Sequence, residues 1–242
     1  MDNEKVYTEG IRIEKRSEGG RWDNFWYHYK WPVIGLVVGL IIFAVCIAQS
    51  CSREEDDLVL LYAGPKLLSA QEQAQIEEVM TGVMPSDFDK DGQKRLGVAT
   101  YNVYSQAQIE EILAASSDAT FDTARNTEDV KQYQSYIKTG ESMIYLLDPW
   151  LYEQLRDDAN RPLQKLSDVL VEMPQGALDD GYGVRLGDTA LYERYAVLQA
   201  LPADTVICLS RPYAIGKTST ESYYVREKDT FAAIVDGRVQ AS

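Results

Sequence analysis

Between Lys30 and Arg53 the chain carries no charged residue, and Val33–Ala48 is apolar on every side. At 1.5 Å per residue, a helix over this run is about 30 Å long, enough to cross the hydrocarbon core of a bilayer. The core helix of a soluble domain keeps a polar stripe, and this run has none. A cleaved secretory signal has a short basic region, whereas here some thirty residues come first. Ala48-Gln49-Ser50-Cys51 has the small residues of a lipidation box, with glutamine where such boxes rarely carry one. The run therefore predicts an uncleaved transmembrane helix over residues 32–52. It divides the chain into a segment 1–31 and a domain 53–242.

Orientation follows the Lys/Arg balance beside the span. Arg12, Lys15, Arg16, Arg21 and Lys30 precede it, while only Arg53 and Lys66 follow closely. The N-terminus is thus expected in the cytoplasm and residues 53–242 outside, in a single-pass protein of the cell membrane. Trp22, Phe25, Trp26, Tyr27, Tyr29 and Trp31 then fall at the inner interface, where amphipathic rings are favoured. His28, the chain's one histidine, reads as a member of that belt.

From Met1 to Trp31, six basic residues balance six acidic ones, so the net charge of −14 belongs wholly to the chain beyond Trp31. An acidic domain repels phosphate backbones, which argues against nucleic-acid binding. Cys46, Cys51 and Cys208 are too far apart and too few for a disulfide framework. With no histidine beyond the span, the domain has no Ser–His–Asp triad and no histidine zinc site. Asp157-Asp158 and Asp179-Asp180 are acid–base candidates by residue type alone, and such doublets are usually solvated turns. The reading is a binding protein, not an enzyme.

Strand and helix signals alternate through the domain. Asp57–Tyr62 is a β-rich run closed by Gly64-Pro65. Ser69 and Glu72 form a capping box before Ile76, Val79, Met80 and Val83 at helical spacing. Leu96–Tyr104 alternates as a strand, and Ser105–Ala115 reads as a helix. Thr127 is expected to cap a helix stopped by Gly140, ahead of a buried strand at Ser142–Leu147. Short helices are expected at Trp150–Arg156, Leu163–Leu170 and Ala190–Tyr195. Extended pieces are expected at Val184–Leu186 and Asp204–Leu209, and a closing helix at Glu221–Val235 with Tyr224, Phe231 and Ile234 facing inward. The alternation predicts an α/β domain with a mainly parallel sheet.

Three stretches carry a family likeness. Gln134–Leu151 (QSYIKTGESMIYLLDPWL), Arg161–Leu166 (RPLQKL) and Tyr182–Leu186 (YGVRL) resemble, in that order, a helix-turn-strand, a second motif and a cleft-lining strand of extracellular solute-binding proteins, the type II periplasmic-binding class. Arg185 stands where proline is usual. FWYHYKW before the span and LVLLYAGP after it resemble membrane-anchored proteins of Gram-positive bacteria that carry such a domain outside. The resemblance implies binding of a small solute or peptide in a cleft, for presentation to a membrane protein partner. After Leu186 only 56 residues remain, where a solute-binding protein continues through a second lobe, so a single lobe or a reduced pair is implied. The alternative is a structural or assembly module of a cell-envelope complex that keeps the fold without a ligand.

Ligands in open parallel sheets sit at the carboxyl ends of the strands. That rule marks Tyr62, Gly64, Asp148, Trp150, Tyr182 and Arg185 as ligand-binding candidates. Asp87, Asp89 and Asp91 open a D-x-D-x-D-G pattern ending at Gly92, in which alternate carboxylates converge on calcium. The twelfth position, where a bidentate acid is usual, is Val98, and Arg95 stands where an oxygen ligand is usual, so a solvated acidic turn is the competing reading. Gly216-Lys217-Thr218 lacks the earlier glycine of a phosphate loop, Arg211 standing in its place. No other cofactor is expected.

Overall fold

The computed structural model describes residues 19–51, 56–157, 163–212 and 220–237. Arg53–Glu55, Asp158, Arg161, Pro162, residues 216–218 and the side chains of Trp22 and Cys51 lie outside the described residues. The chain divides into two compact units, Met1–Glu54 and Glu55–Ser242.

The first unit contains one helix, α1 (Gly19–Cys51). Its stretch Phe25–Ile47 is long and apolar enough to cross a membrane. The side chains of Ile34, Leu36, Leu40, Ile41 and Phe43 are exposed around its circumference. The helix continues unbroken through the aromatic segment: Phe25 and Tyr29 stack one turn apart, with centroids separated by 5.1 Å. Pro32 lies inside it, where its missing N–H removes one helical hydrogen bond.

The second unit is an α/β domain built on a five-stranded sheet of order β2-β1-β3-β5-β4. In chain order it comprises β1 (Leu58–Gly64), α2 (Ala70–Val83), β2 (Leu96–Asn102), α3 (Gln106–Ala114), α4 (Thr123–Thr139), β3 (Ile144–Leu147), α5 (Pro149–Asp157), β4 (Gly183–Arg185), α6 (Ala190–Arg194), β5 (Val206–Leu209) and α7 (Glu221–Asp236). β1 pairs in parallel with β2 (Leu60 opposite Val98) and with β3 (Leu61 opposite Tyr145). β5 runs antiparallel to both its neighbours, with Leu146 and Val184 opposite Ile207.

The sheet is therefore mixed, not mainly parallel. β4 leaves the sheet at Arg185, and the excursion through α6 returns to the same edge. There the Leu186 and Gly187 amides donate to the carbonyls of Thr205 and Ala203, each at 2.8 Å. A strand that re-enters at the edge its neighbour has just left must run back the opposite way.

Side-chain parity sorts the core into two layers. Leu58, Leu60, Tyr62, Ile144, Leu146, Ile207 and Leu209 pack with Ile76 and Met80 of α2 and with Phe231 and Ile234 of α7. Leu61, Ala63, Tyr145, Leu147, Val206 and Cys208 pack on the other face with Tyr133 of α4 and with Leu151 and Tyr152 of α5. Helices on both faces explain why β1 and β3 read as unbroken apolar runs rather than alternating ones.

Most helix ends follow the sequence signals. Ser69 and Ser105 form complete capping boxes with Glu72 and Gln108. Gly140 ends α4 at φ 64°, the left-handed conformation glycine takes without a steric penalty. Two signals are corrected. Asp122, not Thr127, caps α4, its carboxylate accepting from the Arg125 amide at 2.9 Å. In place of a helix over Leu163–Leu170 there is a bridge from Leu163 to Ser210 and a 3-10 turn, Leu166–Asp168. In α7, Phe231 and Ile234 are buried and Tyr224 is half-buried.

Candidate functional site

The crossover from β1 to β2 runs one way across the sheet, and the crossover from β2 to β3 runs back the other way, past β1. A sheet that reverses in this way opens a crevice at the carboxyl ends of the diverging strands. Here the turns at that edge are tied together. The Val103 amide donates to the Gly64 carbonyl at 3.0 Å, and the Asp148 amide donates to the Ala63 carbonyl at 2.9 Å.

The six ligand-binding candidates fare differently at this edge. Tyr62 is buried, and its hydroxyl lies over Gly64 so closely that a Cβ at residue 64 would stand 2.9 Å from it. That hydroxyl has no well-formed hydrogen bond among the described residues, and burial raises its pKa well above the usual tyrosine value. Asp148 spends both oxygens on structure. One accepts from the Trp150 amide and one from Gln108 Nε2, both at 2.9 Å, joining α5 to α3. Trp150 is half-buried against the lower core layer, as is Tyr182. Arg185, exposed and 3.6 Å from Asp188, lines a cavity.

That cavity has a volume of about 330 Å³ and opens at the ends of β3 and β4 and the start of β5. Pro149, Leu178 and Val206 supply apolar wall, and Arg156, Arg185, Glu153, Asp179, Asp180 and Asp204 supply charge. Asp180 organises one side of it. It accepts from the Tyr152 hydroxyl at 2.8 Å, from Arg156 at 3.4 Å and from the Tyr182 amide at 3.1 Å. Arg156 also pairs with Asp157 at 3.0 Å. Burial, and then the hydrogen bond to Asp180, push the Tyr152 hydroxyl far above its usual pKa. Beneath them Cys208 is fully enclosed, and burial with the Asp180 charge keeps its thiol protonated, so it is not a nucleophile.

Residue type had singled out Asp180 beforehand, in the Asp179-Asp180 doublet. Tyr152, Glu153, Arg156 and Asp204 were missed. The available signal was the i, i+4 spacing of Tyr152 and Arg156, which puts both on one face of the predicted helix after Pro149. Two further depressions lie away from the strand ends. One of about 300 Å³ includes Tyr133, Ile137, Leu151 and Leu155, and one of about 720 Å³ includes Glu78, Val79, Tyr195 and Val197. The second is larger but carries a single charged side chain, so it offers little to orient a ligand.

The acidic loop closes on itself. Asp87 accepts from the amides of Lys90 and Gly92, and Asp89 from that of Asp91. Asp91 turns away to Arg95, whose two terminal nitrogens both reach one carboxylate oxygen at 2.7 Å. Asp57 takes its place: oxygens of Asp57, Asp87 and Asp89 lie within 4.8 Å of one another. Asp57 is buried and accepts from the amides of Phe88, Asp89 and Arg95, so it pins the loop to the start of β1. Comparison with protein-family models, curated proteins and solved structures finds no match to this chain.

Proposed function

We propose that the chain is a single-pass membrane protein, N-terminus inside, whose α/β domain stands outside the cell and binds a small solute or peptide for a membrane partner. The cavity at the ends of β3 and β4 and the start of β5 carries this reading, because it combines an apolar wall with charged groups. The excess of Lys/Arg before the span supports the orientation. The three motifs that resemble those of solute-binding proteins support a single lobe or a reduced pair of that architecture, two of them flanking the cavity at Asp148–Leu151 and Tyr182–Leu186. Binding is favoured over catalysis because the sole histidine, His28, belongs to α1, and Cys208 is sealed in the core.

The alternative, a ligand-free assembly module, draws on the exposed side chains of Val171 and Met173 in the loop before β4. A thermal-shift panel on the full chain in non-ionic detergent separates the two. Amino acids, amines, short peptides and sugars make up the panel. Stabilisation by one class, lost when Leu178→Trp fills the cavity, supports the binding reading. No stabilisation by any of them leaves the assembly module.

A further inference from the structure

The charges on the cavity wall select a ligand class, an inference that rests on the cavity being the binding site. Two guanidinium groups face four carboxylates, which leaves the wall at −2. The balance is less even than the count, because Arg156 is committed to Asp157 and Asp180. The carboxylates of Glu153 on α5, Asp179 before β4 and Asp204 before β5 make no hydrogen bond or ion pair with another described residue. Three separate elements thus bring exposed carboxylates without a partner among the described residues to one concavity, and the net negative charge of its wall favours a cation.

A bare metal ion does not fit this arrangement. Among the described residues, only Asp57, Asp87 and Asp89 bring three ligand oxygens within 4.8 Å of one another. The cavity acids are spread over a space of about 330 Å³ whose walls include Pro149, Leu178 and Val206. Spaced charge around apolar wall matches an extended organic cation with methylene groups between its charges. We propose that the cavity binds a small ligand with at least one primary ammonium group and a net positive charge, such as an aliphatic diamine or a basic amino acid. Its ammonium groups lie among Glu153, Asp179 and Asp204, and Arg185 takes the carboxylate of a ligand that has one.

The test is calorimetric titration and thermal shift of the full chain in non-ionic detergent, with 1,4-diaminobutane, lysine, glutamate and glucose as probes. The diamine and lysine should bind, with affinity falling as salt rises. Asp179→Asn combined with Asp204→Asn, both at exposed positions, should lower that affinity at least about tenfold while leaving the melting temperature of the free protein unchanged. Binding of the cations that the double variant does not weaken overturns the proposal. Binding of glutamate or glucose instead, abolished by Leu178→Trp, overturns the ligand class and leaves the cavity as a site. Binding of none of the four overturns the class as well, and the wider panel then decides whether the cavity is a site at all.

Discussion

Glu227 lies inside the domain with no exposed surface, and neither carboxylate oxygen has a well-formed hydrogen bond. The Met143 backbone and the Tyr223 hydroxyl stand beside it, and the buried hydroxyls of Tyr136 and Thr230 also lack partners among the described residues. Burial raises its pKa from 4.5 to about 8, against the weaker opposing pull of Met143 and Tyr223. The folded state therefore holds a proton that the unfolded chain releases near pH 4.5. The stability this group contributes is whole below pH 4.5 and is lost as pH rises toward about 8. At about 1.4 kcal/mol per pKa unit, the loss amounts to a few kcal/mol. Glu227→Gln should thus flatten the melting temperature over that window and stabilise the protein at pH 8. Identical pH profiles for the two proteins would contradict this. At the cavity, Tyr152→Phe removes the hydroxyl that donates to Asp180, which Arg156 and the Tyr182 amide still hold. A loss of about 1 kcal/mol is expected by chemical denaturation. Neither Glu227 nor the Tyr152–Asp180 bond was legible beforehand, since each depends on which elements pack together.

At the scale of elements, helix starts announced themselves where a side-chain cap precedes an apolar repeat. Ser69 was found this way, and Ser69→Ala should cost about 1 kcal/mol of stability. The start of α4 was hidden because its first turn, Thr123–Asn126, holds no large apolar residue and periodicity is blind there. Asp122→Ala should therefore destabilise more than Thr127→Ala, by about 1 kcal/mol. The reverse order would restore Thr127 as the cap. Strand positions were legible in the same way, because burial on both faces leaves unbroken apolar runs such as DLVLLY and SMIYLL. Strand direction was not, since an apolar tetrapeptide such as VICL reads alike in either sense. The direction of β5 comes from the path between Arg185 and Val206, where the Leu186 and Gly187 amides fasten both ends to one edge. The same blindness affected the site. The rule of carboxyl ends marked residues that serve the turns at those ends, Asp148 among them. The charges of the cavity wall include Glu153 and Asp204, which no motif marks.

At the scale of the whole molecule, α1 is long and apolar enough to cross a membrane, and the proposal places the acidic domain outside the cell. The apolar stretch Phe25–Ile47 was legible because its length and uniform composition are those a bilayer would require of a span. Orientation rests on five Lys/Arg before it and few after it. The most direct test places single cysteines on either side, in a chain whose Cys46 and Cys51 are replaced and whose Cys208 stays buried. A membrane-impermeant maleimide should label Ser116→Cys, on an exposed stretch of the domain, in intact cells. It should label Asn3→Cys only after permeabilisation. Labelling of Asn3→Cys in intact cells, with Ser116→Cys protected, would contradict the account.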